Sequence, residues 1–422
     1  TEYKSTDIKF NNTELTMANE FSHYPNGIDK GAWKLISWPS QPGNTTLAVS
    51  TLEQGHVFHA WNPVKEVYSY PTEIEIGHSY WFKHRYKDAV IFEEDTATAI
   101  PLDSFVIDLR SGWNLIGSPF SFPVKFEKDS IVSDPITYGL PDKSSGWSGP
   151  QNELMPWNGY AVYSAQAAAI TILPFSDPDS SAARVVSTNE WYLNIKLESD
   201  TYFNYSSEIG RRKYANNSYD HFDTPLFPEI DKGISLAMDL NGSGLFNYQR
   251  DIRDIEEMNG IWNLRLDNNE GNKEIFLSGD LRGSIPDEFH IAIVDIAERN
   301  VINTFLDEGM IINQYSDLSY DIKLVAGDLD YVNRTTEEIL SNIPSEFSLG
   351  QNYPNPFNPI TKMDYTLPKR SRVIISIYNV LGQEIVNLVN EEQGFGYHSI
   401  TWNGTDQLGR QMASGVYFTR MI

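Results

Sequence analysis

The same anchors recur at a fixed spacing of 80 residues in the first half of the chain. Trp33-Lys34-Leu35-Ile36-Ser37-Trp38-Pro39 is matched by Trp113-Asn114-Leu115-Ile116-Gly117-Ser118-Pro119, and Tyr80-Trp81-Phe82 by Tyr160-Ala161-Val162. Trp33, Pro39 and Tyr80 share one offset with their counterparts, so this half reads as two copies of one β module. Each copy has a strand that opens Trp-x-Leu-Ile and ends at Pro, a middle containing Trp61 or Trp147, and a closing strand led by Tyr.

The rest of the chain follows the same grammar. Short apolar runs such as Val106-Ile107-Asp108-Leu109, Trp191–Leu197 and Val373–Tyr378 are bounded by Gly, Pro, Asn and Asp. That is the pattern of strands in sandwiches or barrels. Two helices are expected, at Thr335–Asn342, just ahead of Pro344, and within Gln249–Met258. The expected fold is all-β: tandem β-sandwich modules followed by a small C-terminal domain. The expected parts are an extended N-terminal segment (1–24), module one (25–100), module two (101–180), a β-sandwich (186–334) and a tail domain (346–422). The small, polar, Pro-containing stretch 175–188 reads as a linker.

Composition removes several function classes. There are 57 Asp+Glu against 32 Lys+Arg, a net charge of −25. Phosphate backbones and anionic lipid surfaces select clustered Lys and Arg, so neither nucleic acid nor such a surface is the expected partner. With no cysteine, thiol catalysis, disulfides and Cys-ligated metals are excluded. Aromatic residues make up 13% of the chain, which speaks against disorder and for strands. No stretch approaches the roughly 18 apolar residues of a membrane-spanning helix. The chain opens at Thr1 without a basic-then-apolar leader, so a processed export product or a section of a longer polypeptide is expected.

The tail begins Leu349-Gly350-Gln351-Asn352-Tyr353-Pro354-Asn355-Pro356-Phe357-Asn358-Pro359. Its prolines fix φ and remove backbone donors, which makes a rigid lead-in rather than a strand. Val373–Tyr378, Ile385–Val389, His398–Trp402 and Ser414–Phe418 then read as strands, with turns at Asn379–Glu384, Asn403–Asp406 and Leu408–Arg410. The tail resembles the C-terminal sorting domain of proteins exported by the type IX secretion system of Bacteroidota. The resemblance is carried by Tyr353, Pro354, Asn355, Pro356, Phe357, Asn358 and Pro359, by the Asn379–Glu384 hairpin, and by Ala413-Ser414-Gly415-Val416-Tyr417-Phe418. It covers residues 347–422. Trp402–Gly409 is also similar to the immunoglobulin-like part of flagellar hook-capping proteins. The resemblance implies an immunoglobulin-like tail, passage through an outer-membrane translocon as partner, and a place on the outer-membrane surface or in the medium of a Gram-negative bacterium. Sorting tails of this family run on past the Gly-Val-Tyr-Phe strand into one further basic strand, and here the sequence reads Thr419-Arg420-Met421-Ile422. Gly112–Phe120, Met155–Tyr160 and Tyr219–Pro225 resemble, more weakly, β-rich regions that precede such tails.

No Gly-x-Ser-x-Gly, His-Glu-x-x-His, Walker or dinucleotide motif occurs, so no catalysis is expected. His56 and His59 fall on opposite faces of a strand, which is poor metal geometry. Calcium is the best-supported cofactor hypothesis. Asp239, Asn241, Ser243 and Asn247 place oxygens at positions 1, 3, 5 and 9 of a loop with Gly244 at 6, although Arg250 stands at 12. Asp220 and Asp223 form a second candidate. The competing reading of both is a polar turn. Trp38, Trp61, Trp81, Trp147 and Trp157 are either core filling or a glycan-stacking face, and core filling is favoured because large aromatics dominate cores.

The expected function is an exported structural or adhesive β protein without catalysis of its own. The alternatives are a glycan-binding or accessory region of a larger secreted enzyme, and a polymerising surface-fibre subunit whose segment Thr1–Phe21 adds a strand to a neighbouring copy.

Overall fold

The computed structural model describes residues 14–16, 33–39, 41–42, 56–84, 96–98, 100–139, 145–174, 190–228, 230, 233–240, 242–269, 273–283, 285, 288–314 and 319–422. The fold is all-β. The linker 175–188 lies outside the described residues, as does the N-terminal segment apart from Glu14–Thr16, which pairs antiparallel with Thr96–Thr98.

The chain divides into two compact units. One comprises Thr1–Ser235, Asn247–Glu256 and Ile275–Ile285; the other comprises Leu236–Phe246, Glu257–Glu274 and Pro286–Ile422. The stretch 186–334 therefore contributes strands to both.

In the first unit, the repeated anchors become equivalent strand pairs. Trp33–Ser37 pairs antiparallel with Ser79–His84, and Gly112–Gly117 with Gly159–Ser164. Leu35 faces Trp81 as Leu115 faces Ala161, and Ile36 faces Tyr80 as Ile116 faces Tyr160, so the 80-residue offset holds for every partner. The Tyr80 hydroxyl accepts the Glu75 amide at 2.7 Å, and the Tyr160 hydroxyl accepts the Met155 amide at the same distance. Burial pushes the Tyr80 phenol up to about 12.

The two pairs meet by exchanging equivalent contacts, as an isologous dimer does. The Ser37 amide donates to the Trp157 carbonyl and the Gly117 amide to the Gly77 carbonyl, each at 2.9 Å. Isolated bridges join Ile36 to Asn158 and His78 to Ile116. Residues 77 and 157 both have positive φ, 81° for Gly77 and 69° for Trp157. Module one buries Ile36, Trp38, Phe58, Tyr80 and Phe82 together. Module two buries Ile107, Ile116, Val124, Tyr160 and Ile170.

Further along this unit, Trp191–Glu198 lies between Phe203–Arg212 and the 276–283 part of Lys273–Gly283, antiparallel to both. The helix expected within Gln249–Met258 is instead the strand Tyr248–Asp254, parallel to Phe203–Arg212 with Glu208 opposite Arg250. Its charges are neutralised sideways rather than along a helix face. Buried Glu208 accepts from Arg250 Nε at 2.9 Å and is also paired with Arg282.

In the second unit, Phe289–Asp295 pairs with Asn300–Ile302 and with Tyr320–Asp328, which also pairs with Gly260–Asn268. The expected helix starts earlier than its pattern indicates and spans Leu329–Asn342. Asp328 caps it, its carboxylate accepting the Tyr331 amide at 2.8 Å. Val332 and Ile343 pack with Ala292, Val294 and Val325.

The tail folds as two three-stranded sheets. One has the order Ser348–Leu349, Thr361–Leu367, Gly396–Trp402; the other has Glu384–Gln393, Ser371–Asn379, Tyr417–Met421. Their inward residues share one interior: Tyr365 and Leu367 with Val373, Ile375 and Val389, and Met363 with Ile377 and Trp402.

Candidate functional site

The proline-rich string is an exposed strap pinned at defined points. Tyr353 exchanges backbone hydrogen bonds with Lys362 at 2.8 and 2.9 Å, which ties the string to the start of Thr361–Leu367. Buried Thr361 donates its hydroxyl to the Pro354 carbonyl at 2.9 Å and accepts from the Asn352 side-chain Nδ2 at 3.0 Å. Phe357 turns inward, its ring 5.3 Å from that of Trp402. Pro354, Asn355, Pro356, Asn358 and Pro359 are exposed, and Tyr353 keeps 81% of its surface. Gly415 is exposed ahead of the last strand.

The tail also carries an apolar end. Val380 and Leu381 form the tip of a hairpin closed by Asn379, whose side-chain oxygen accepts the Leu381 and Gln383 amides at 2.9 and 3.0 Å. Tyr417 pairs with Asn379, so Val416 enters beside that hairpin. The Gln407 amide donates to the Ile385 carbonyl at 3.2 Å, which brings the turn bearing Leu408 to the same end. Val380, Leu381, Leu408 and Val416 are 67, 80, 76 and 64% exposed. These are large apolar side chains left in water near one end of a small domain. In the sequence these residues fall in two separate turns, Asn379–Glu384 and Leu408–Arg410, and in the strand expected at Ser414–Phe418.

The expected calcium loop is closed by its own amides. Asp239 Oδ1 accepts from the Ser243 amide and hydroxyl at 3.1 and 3.2 Å, and Oδ2 from the Gly244 amide at 2.7 Å. Asn241 lies outside the described residues, and Asn247 is exposed. This is the polar-turn arrangement, in which carboxylate oxygens face N–H donors.

Asp220 and Asp223 are committed in the same way. Asp220 accepts from the Asn216 and Phe222 amides, each at 2.7 Å, and Asp223 from the Asp220 and Ile252 amides at 2.8 and 2.9 Å. Asp223 is 1% exposed, and burial pushes its carboxyl up to about 8, with Asp251 and Asp220 adding to the rise against the two amides. Among the described residues no group of three or more His, Asp or Glu is arranged to hold a metal ion.

The five tryptophans do not share an exposed face. Trp81 and Trp147 are 0 and 1% exposed, and Trp38 is buried too, so none of these rings is open to a sugar. Trp61, Trp81 and Trp147 converge on Phe227, with ring centroids 6.3, 6.4 and 4.8 Å away. Trp38 packs separately against Phe58, Tyr80 and half-buried Trp157. Trp38, Trp81 and Trp147 thus fill cores, which large rings do well, while Trp61 and Trp157 are half-buried. The His59 ring lies 4.7 Å from that of Tyr70, tilted by 37°, and burial holds its pKa below the ordinary histidine value.

No family model, curated protein or solved structure matches the chain. No helix among the described residues is long and apolar enough to cross a membrane.

Proposed function

We propose that this chain is an exported structural or adhesive protein of a Gram-negative cell surface or its medium. In this reading it has no catalysis of its own, and residues 346–422 are the part read by an outer-membrane translocon of the type IX kind. The modules are tandem β-sandwiches and the tail is an immunoglobulin-like sorting domain. The observation that carries the reading is the apolar end of the tail: Val380, Leu381, Leu408 and Val416 remain in water beside a strapped, exposed proline string. Covering such side chains removes apolar surface from water, a gain of about 25 cal/mol per Å² that works against the entropic cost of association. The strong negative charge supports the reading, since it keeps an exported protein soluble.

The test is to express the full chain, placed behind a leader that delivers it to the periplasm, in a bacterium with a type IX translocon and in the same strain with the translocon disabled. The protein is expected outside the first strain and in the periplasm of the second. Equal export from both strains would overturn the assignment.

A further inference from the structure

Tyr320–Asp328 and Gly260–Asn268 form one wall of a cavity of about 550 Å³, whose other side includes Arg370, Gly394 and Phe395 of the tail. It lies wholly within the second unit. Its volume falls in the range of small-molecule sites.

The polar groups on its wall are unequally committed. Asp321 is engaged on both oxygens: it accepts from Arg370 Nε and Nη2 at 2.9 and 3.1 Å and from Arg265 Nε at 3.3 Å. Lys323 donates from Nζ to Asn263 Oδ1 at 2.6 Å, which leaves two ammonium hydrogens. That bond sets the Asn263 oxygen towards the lysine and leaves its amide hydrogens over. Among the described residues neither those hydrogens nor the Arg265 Nη groups have a hydrogen-bond partner, so the surplus consists of donors.

Charge gives the same answer. Arg265, Lys323 and Arg370 bring three positive charges to the wall, against Asp239 and Asp321. Burial holds Lys323 below the ordinary lysine value, while Asp321 and Asp239 work against that shift, so an added anion would further favour its charged form. The flanks are aromatic: the Arg265 guanidinium lies 3.7 Å over the Phe246 ring, and Lys323 Nζ is 5.9 Å from that of Phe395.

We infer that this cavity binds a small monocarboxylate with an apolar ring face, its carboxylate on Lys323, Asn263 and Arg265 and its ring beside Phe246 and Phe395. Two sources share this chemistry, sugar acids and aromatic acids, and they are separable by experiment. The inference stands apart from the export reading.

The test uses the full chain in titration calorimetry with galacturonate and with benzoate, each beside its neutral partner, galactose or benzamide. One acid is expected to bind, and its neutral partner at least tenfold more weakly, the difference a charge-assisted hydrogen bond supplies. Binding of galacturonate identifies the sugar-acid source, and binding of benzoate the aromatic one. Lys323→Met should lower the affinity at least tenfold. Asn263→Asp, which keeps the lysine bond but adds a negative charge, should do the same in a protein whose thermal unfolding remains cooperative. The inference is overturned if neither acid binds at about 10 mM, the weak end of useful affinities. It is equally overturned if a neutral partner binds as well as its acid, or if a folded Asn263→Asp protein binds unchanged.

Discussion

Gly117 stands against Ser37 so closely that a β-carbon on the glycine would fall 2.1 Å from the serine's. The second contact of the same kind lies at Gly159 and Ser79, where the corresponding distance is 2.5 Å. The repeat thus carries serine in one copy and glycine in the other at both positions, and that asymmetry lets the two strand pairs approach.

Gly117→Ala should therefore push the pairs apart. Overpacking of this kind costs about 1–3 kcal/mol. Thermal or urea unfolding of the variant should show the loss, and adding Ser37→Gly should recover part of it. An unchanged midpoint for Gly117→Ala alone would mean that the two pairs are not in contact at this point.

Asp223 predicts a pH dependence. Its folded carboxyl titrates at about 8, above the ordinary 3.8 expected when unfolded, so the folded state holds the extra proton between those values. Stability linked to this group is present at low pH and falls as pH rises from about 4 through 8. Asp223→Asn should unfold earlier than wild type at pH 5, because its amide group meets one of two N–H donors with a donor of its own. It should also lose this group's share of the decline towards pH 8. Urea midpoints at pH 5, 6.5 and 8 check both points, and parallel curves for the two proteins would contradict the assignment.

The all-β fold and the repeat were legible because alternation and the anchors Trp33, Pro39 and Tyr80 act locally, and the shared offset carried through to the strand register. The strand Tyr248–Asp254 was not legible. Ile252, Ile255 and Met258 fall at helical spacing, and nothing nearby in sequence reveals that Glu208 will neutralise Arg250. The apolar end was hidden for the same reason. Val380 and Leu408 belong to separate turns and Val416 to the approach to the last strand, and only the pairing of Asn379 with Tyr417 and the Gln407–Ile385 bond brings them together. The cavity wall was equally invisible, because Asn263, Lys323 and Arg370 meet only through the fold.

Trp147 separates core filling from glycan recognition. It is 1% exposed and packs against Trp81, Tyr138 and Phe227. Trp147→Ala should cost about 3–5 kcal/mol, as large-to-small core changes do. Calorimetric unfolding measures this directly, and a variant of near-wild-type stability would show the ring to be dispensable to the core.

The most direct measurement is the exported fraction of Leu381→Asp/Leu408→Asp against wild type in the translocon-bearing strain, with melting temperatures recorded for both. Both side chains are exposed, so each change should move stability by no more than about 0.5 kcal/mol. The account predicts matching melting temperatures and a double variant retained inside the cell. Export equal to wild type would contradict it.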